Sequence, residues 1–376
     1  MRNKQAIVIG AGIVGLATAR ALALKGFDVK VFDRNHRAVG ASIRNFGMIW
    51  PIGQPAGKLY SRAIRTREIW REICVEAGLW HDPCGSLHLA YHADEMQVLT
   101  EVKDALVNED RNISVLDKEQ IVQKYELVNS VNLLGGLYSA EEMIVDPREV
   151  IGKVPAYFSE KYNVQFYWGK CVSRVNDYTV CIGNDERHQA DAIFICSGSD
   201  FETLYPETFS NMPITKCKLQ MMRLAAQQGD QRMGVALCGG LSLIHYANFK
   251  TAASLHHLAD RFQKEMSNYI KWGIHVMVSQ NESGQLTVGD SHECGSTPDP
   301  FDRQFINQMI LDYLGQFAAV KDRSVIESWN GIYSKLTNGA TEIVMSPEKG
   351  VTIINGLGGA GMTLSFGLAE EVVNAL

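Results

Sequence analysis

The chain has 376 residues, 46% of them hydrophobic, so it can bury a substantial core and exceeds one average domain. A formal net charge of −6 and a pI near 6.0 argue against a nucleic-acid partner, which clustered Lys and Arg would have to hold. The eight cysteines stand singly with no Cys-x-x-Cys, so neither a zinc site nor a disulfide framework is expected, and a reducing cytoplasm fits.

Arg2 and Lys4 ahead of the apolar run 6–9 imitate a signal peptide, but Gly10, Gly12 and Gly15 interrupt it, and a buried parallel strand explains the same residues. No window reaches the length needed to span a bilayer, so a soluble protein is expected. Residues 6–9 form a β-branched run ending in glycine, and 14–25 carry Ala and Leu at helical spacing, giving strand, turn, helix. A second strand follows at 29–32. Residues 57–77 place Leu59, Ala63, Trp70, Ile73 and Ala77 near one helical face, with Gly78 as the stop.

Strand patterns at 85–91 and 134–139 flank a predicted helix at 94–107, and Asp146-Pro147 opens a further helix with proline in its first turn. Strands are predicted at 164–168, 178–182 and 192–196. Between 213 and 289, candidates at 218–225, 241–249, 274–280 and 285–288 outnumber helices and suggest an antiparallel platform. The last portion holds a strand at 351–354, a glycine-rich turn and a closing helix.

Gly10-x-Gly12-x-x-Gly15 lies between a strand and a helix, the context in which this pattern binds a dinucleotide. The glycines permit a tight turn and let a pyrophosphate approach the free N–H groups of the helix start. Asp33, ending the second strand, is placed to accept hydrogen bonds from a ribose and disfavours a 2′-phosphate. Two further elements separate FAD from NAD. The polar loop 40–47 (Gly-Ala-Ser-Ile-Arg-Asn-Phe-Gly) offers donors to a phosphate or flavin edge, and the run 356–363 (Gly-Leu-Gly-Gly-Ala-Gly-Met-Thr) brings a second helix start that suits an electron-rich ring. For the latter, the alternative is a packed glycine turn.

With these residues in view, the chain resembles the FAD-dependent D-amino acid, glycine and sarcosine oxidases over nearly its whole length. The resemblance runs from the Gly10 motif and Asp33 through Ala41-Ser42, Asp146-Pro147 and residues 192–198 to Trp329-x-Gly331 and the Gly358-Gly359-x-Gly361 turn. It implies an α/β plus α+β architecture: a Rossmann-like FAD-binding domain of the glutathione-reductase type with an antiparallel-sheet substrate domain. The segments would be 1–82, 141–212 and 324–376 for FAD, and 83–140 and 213–323 for substrate. It implies FAD contacts from Gly10, Gly12, Ile13, Val14, Gly15, Asp33 and Arg34, and from Ala41, Ser42, Arg44, Asn45, Phe46, Gly47 and Met48 in the second loop. Val172, Ser197, Gly198, Trp329, Gly331, Gly358, Gly359, Ala360, Gly361, Met362 and Thr363 complete the set. No Cys or His stands in a flavin-linking motif, so non-covalent binding is expected.

The same resemblance implies hydride transfer from a small primary or secondary amine to flavin N5, then hydrolysis of the imine. Three cations expected of such oxidases are missing: Ile332-Tyr333 follow Trp329-x-Gly331 where an arginine is usual, Thr363 stands where sarcosine oxidases place a lysine, and Thr287 stands before Gly289 where an oxygen-activating lysine is expected. Arg44, Arg223, Lys250 and Lys335 are the candidates to replace them. The run 42–51, Ser-x-Arg-Asn-x-Gly-Met-Ile-Trp-Pro, is similar to that of members linked to aminophosphonate breakdown, which makes an aminophosphonate-like amine one substrate reading.

Pocket candidates are His245 and Tyr246 on one predicted strand, His275 and Met277 sharing a face of another, and Tyr333 after the tryptophan motif. A histidine or tyrosine in a strand is more often a satisfied structural residue, while Met48 and Trp50 read equally as core or as flavin-face residues. His256-His257 read as a solvated helix face, and no metal constellation is expected. The electron acceptor (dioxygen, a quinone or a carrier protein) and the oligomeric state stay open. The rival readings are an NAD-dependent dehydrogenase and a flavin-binding module without turnover.

Overall fold

The computed structural model describes residues 3–376, with Asp230 described through its main chain alone. A six-stranded sheet runs in the order Ile343–Met345, Val351–Asn355, Ala192–Ile195, Gln5–Ile9, Asp28–Asp33, Gln165–Trp168, parallel except at its first pair. Its strands come from three separated stretches of chain. In Gln5–Ile9 successive side chains leave opposite faces. Ala6 and Val8 meet the helices Ile13–Leu24, Lys58–Glu76, Pro147–Tyr162 and Gly361–Asn374, while Ile7 and Ile9 join Val172 and Val180 of a small three-stranded sheet. Burial on both faces is why the run lacks polar alternation.

Local signals set the helix ends. Asp146 accepts from the Arg148 N–H at 2.9 Å and Pro147 fills the first turn, while Gly78 takes φ +61° after Lys58–Glu76. The C-terminal helix is tied back by ion pairs: Arg62, almost wholly buried, holds Glu371 at 2.8 Å and Glu342 at 3.0 Å, and Arg20 holds Glu370 at 3.1 Å.

The second sheet centres on Ile214–Leu224. One edge of this strand pairs with Glu293–Gly295 and Leu286–Gly289, and the sheet continues through Met277–Gln280, Ala236–Cys238, Ser86–Ala90 and Gly135–Ser139 to Ile113–Asp117. The ladder is antiparallel except where Ala236–Cys238 meets Ser86–Ala90.

Two expectations are corrected. Val325–Leu336 pairs with the whole of Ile214–Leu224, so these residues belong to the platform sheet and not with the rest of 324–376, because each strand satisfies the other's backbone groups. Residues 241–249 are not a strand but two short 3-10 turns, Gly240–Ile244 and Ala247–Thr251. Ser242 Oγ donates to the Gly239 carbonyl at 2.6 Å, and the His245 N–H folds back to Ser242 O at 3.1 Å, so the backbone turns on itself. Among the described residues no helix is long and apolar enough to cross a membrane.

Candidate active site

A cavity of about 560 Å³ lies between the two sheets, within the roughly 300–1,000 Å³ usual for ligand sites. Two helix starts, each leaving N–H groups without intrahelical partners, reach its wall at Gly12–Val14 (12–14) and at residues 361–363.

The first end is built by close approach. Gly10 sits at φ +101°, where a Cβ would fall 2.4 Å from the Cys196 carbonyl oxygen, and a Cβ on Gly15 would fall 1.8 Å from Gly10 O. Asp33 accepts from the Ala11 N–H at 2.8 Å and the Asn35 N–H at 2.9 Å, fixing its carboxylate at the cavity. Ser42 Oγ accepts from the Ile13 N–H at 2.9 Å. Arg34 is ion-paired with Asp200. In the second loop Asn45 binds back to the Ala41 and Ser42 carbonyls, both at 3.0 Å, and accepts from the Gly47 N–H at 2.8 Å, so its side chain is a loop brace.

The glycine-rich turn at the other end is held by Asn355. Its amide accepts from Ser334 Oγ at 2.7 Å and the Gly356 N–H at 2.8 Å, and donates to Gly198 O at 2.9 Å. Gly358 and Gly359 face open space: added Cβ atoms would meet nothing nearer than the Tyr333 ring at 4.0 Å and the Tyr333 hydroxyl at 3.9 Å, respectively. Their small size therefore preserves cavity volume, not packing. Thr363 Oγ1 accepts from the Trp50 N–H at 2.9 Å, and the buried Trp50 Nε1, on the cavity wall, has no partner among the described residues. A flat aromatic cofactor needs such a floor, and this one fits it.

Opposite this floor three imidazoles converge. His245, His275 and His292 have ring nitrogens within 4.8 Å of one another, and the rings of His245 and His275 stand 3.8 Å apart. His292 Nδ1 lies 2.9 Å from Gly273 O, which turns its Nε2 toward Asp290 at 3.8 Å. His275 Nε2 is 3.2 Å from Asp290 Oδ1 but not aligned for a hydrogen bond, so both atoms stay without partners among the described residues. Burial pushes His275 well below the usual imidazole range and His292 down to about 4, and lifts Asp290 well above the usual carboxylate range. His245, which opens onto the cavity, is pushed down by desolvation and by the charges of His292 and Lys335. The neutral forms of all four are favoured. Tyr246 donates to Met277 Sδ at 3.2 Å.

Of the residues singled out in the sequence, His245, Tyr246, His275, Tyr333 and Trp50 all line this cavity, as do all the expected FAD contacts except Gly15, Gly47 and Trp329. Gly15 touches Gly10 in the turn itself. Gly47 is a close-packing residue, its Cβ position 1.9 Å from Val145 O, and Trp329 lies beneath the Arg148 guanidinium at 4.9 Å. Among the candidate cations, Arg44 lines the cavity and donates to Asn330 O at 3.0 Å. Arg223 is buried 3.8 Å from Asp146, Lys250 is exposed, and Lys335 stands two residues beyond Tyr333, on the same strand face. His292, Asp290 and Asn355 escaped the sequence reading. Asp290-Ser291-His292 directly after a strand was the available signal, but spacing alone does not bring it to His245.

A sequence profile described as FAD dependent oxidoreductase matches residues 5–375, and the chain belongs to that family. The NAD-dependent dehydrogenase reading falls with it. The glycine oxidase of Geobacillus kaustophilus superposes with a TM-score of 0.79 at 16% identity, covering 100% of this chain and 95% of that one. The iminodiacetate oxidase of Chelativorans sp. superposes with a TM-score of 0.74 at 20% identity, covering 98% and 94%. In sequence, the tRNA 5-methylaminomethyl-2-thiouridine biosynthesis bifunctional protein MnmC of Chromobacterium violaceum is 25% identical over 252 residues, 63% of this chain and 36% of that protein. The chain thus spans about a third of that relative's length. These likenesses define an FAD-dependent oxidoreductase with amine and amino acid oxidases and dehydrogenases among its neighbours.

Proposed function

We propose that the chain oxidises a small amine bearing an acidic group, of the amino acid or aminophosphonate kind, to an imine that water then hydrolyses. The observation that carries this reading is the cluster of His245, His275 and His292 lining the same cavity as the open Gly358-Gly359 turn. FAD would be held by 10–14 and Asp33 at its dinucleotide end and by 358–363 at its ring, where it supplies a two-electron acceptor. Burial favours the neutral forms of Asp290 and His275, which disfavours an ammonium at this end and favours the amine as free base with its lone pair available. His275 Nε2, which has no hydrogen-bond partner among the described residues, can accept a hydrogen bond from the amine N–H and orient the nitrogen. Trp50 and Tyr246 shape the pocket and exclude water.

Lys335 and Arg44 take the place of the missing carboxylate-binding arginine for the acidic group. Glycine and iminodiacetate, for which two structural relatives are named as oxidases, are small amines of this kind. The relative named for a tRNA nucleoside suggests a methylaminomethyl substrate, but a net charge of −6 opposes binding to a polyanion. Anaerobic mixing with glycine, sarcosine, iminodiacetate and 2-aminoethylphosphonate tests the proposal: at least one should bleach the visible flavin absorbance. A flavin that none of them bleaches returns the protein to the class of modules without turnover. Lys335→Ala should raise KM for the active amine about tenfold while leaving kcat within about twofold.

A further inference from the structure

Cys217, in the middle of the long strand Ile214–Leu224, lies directly across the antiparallel ladder from Cys294, and their sulfurs are 3.2 Å apart. Facing Cα atoms on such a ladder stand about 4.5–5.5 Å apart, inside the roughly 4.4–6.8 Å that a disulfide spans. Closing an S–S bond here requires side-chain rotation without moving the main chain. Cys294 is exposed and Cys217 fully buried, so an oxidant reaches the first and the second is in place to resolve it. The hydrogen bond between the sulfurs and the charge of Lys335 hold the Cys294 thiol down at about 6.

The pair also adjoins the cavity. On its other edge Cys217 faces Tyr333, packs with it in one small cluster, and Tyr333 forms the wall beside Gly359.

We propose that Cys217 and Cys294 are a thiol modification site that closes reversibly to an intramolecular disulfide and shifts Tyr333 at the cavity wall. With hydrogen peroxide as oxidant, the Cys294 thiolate attacks one peroxide oxygen, the O–O bond breaks, hydroxide leaves and a sulfenic acid remains. The Cys217 thiol then attacks that sulfur, and the sulfenic oxygen departs with the thiol proton as water. Two electrons pass from the sulfurs to the peroxide, giving one S–S bond.

The full-length FAD-bound protein is treated with hydrogen peroxide, its remaining thiols are alkylated after denaturation, and peptides are mapped by mass spectrometry. A Cys217–Cys294 cross-linked peptide, reversed by dithiothreitol and accompanied by a shift of the visible flavin spectrum, is the expected result. The surface variant Cys294→Ser should lose both the cross-link and the shift while retaining FAD. Cys217 still alkylatable after treatment, with Cys294 alone carried to sulfinic acid, overturns the proposal. So does a cross-link whose formation leaves the spectrum unchanged.

Discussion

The two ends of the cavity are built by opposite routes. At the nucleotide end a few adjacent residues do most of the work: Gly10, Gly12 and Gly15 shape one turn and Asp33 closes it, all within the first strand-helix-strand unit. At the substrate end, His245, His275, Asp290, His292 and Tyr333 arrive from separate loops and strands of the platform. The first end is therefore sensitive to backbone shape, the second to the identity and charge of single side chains.

That contrast can be broken most severely at Gly15. Gly15→Ala sets a Cβ against Gly10 O at 1.8 Å, an overlap that should cost about 3 kcal/mol, and visible absorbance should show less than a tenth of the normal FAD per mole of protein. Retention of full FAD would show that the turn tolerates what its geometry forbids. Acid should instead loosen the substrate end. His292 is held at about 4 against 6.5 when unfolded, so below about pH 6.5 the unfolded chain takes up a proton that the folded chain refuses. Stability should then fall as pH drops from about 6.5 to 4, by up to about 3 kcal/mol, with Tm scans showing a flatter profile for His292→Gln.

Two smaller effects sharpen the comparison from the chemical side. His275→Ala should lower kcat about 100-fold, or ~2.7 kcal/mol, with FAD content unchanged; parallel loss of flavin would mean that the residue is structural. Tyr333→Phe should alter amine turnover about tenfold while sparing FAD binding, and unchanged kinetics would remove its hydroxyl from the reaction.

The same contrast explains what the sequence could disclose. The Gly10 turn, Asp33 and the Gly358-Gly359 floor are contiguous in the chain, so their spacing already states their geometry. Leu241 and Leu243 alternate with polar neighbours as in a strand, yet Ser242 captures the backbone carbonyl behind it and the segment coils. Asp290 pairs with His275 and, with His292, reaches His245 only through tertiary packing, and Cys217 meets Cys294 from 77 residues away. Pairings of that kind are decided by tertiary register, which no local pattern encodes.

The interleaving of the six-stranded sheet sets a timetable for assembly. Gln5–Ile9 needs Ala192–Ile195 beside it, which in turn needs Val351–Asn355, and Gly361–Asn374 shields Ile13–Leu24. During synthesis Gln5–Ile9 is made long before Val351–Asn355 and Gly361–Asn374, so its apolar surroundings wait for partners distant in the chain. Deleting Gly361–Asn374 should therefore expose Ile13–Leu24, and the damage would register as aggregation of the whole molecule rather than as local fraying.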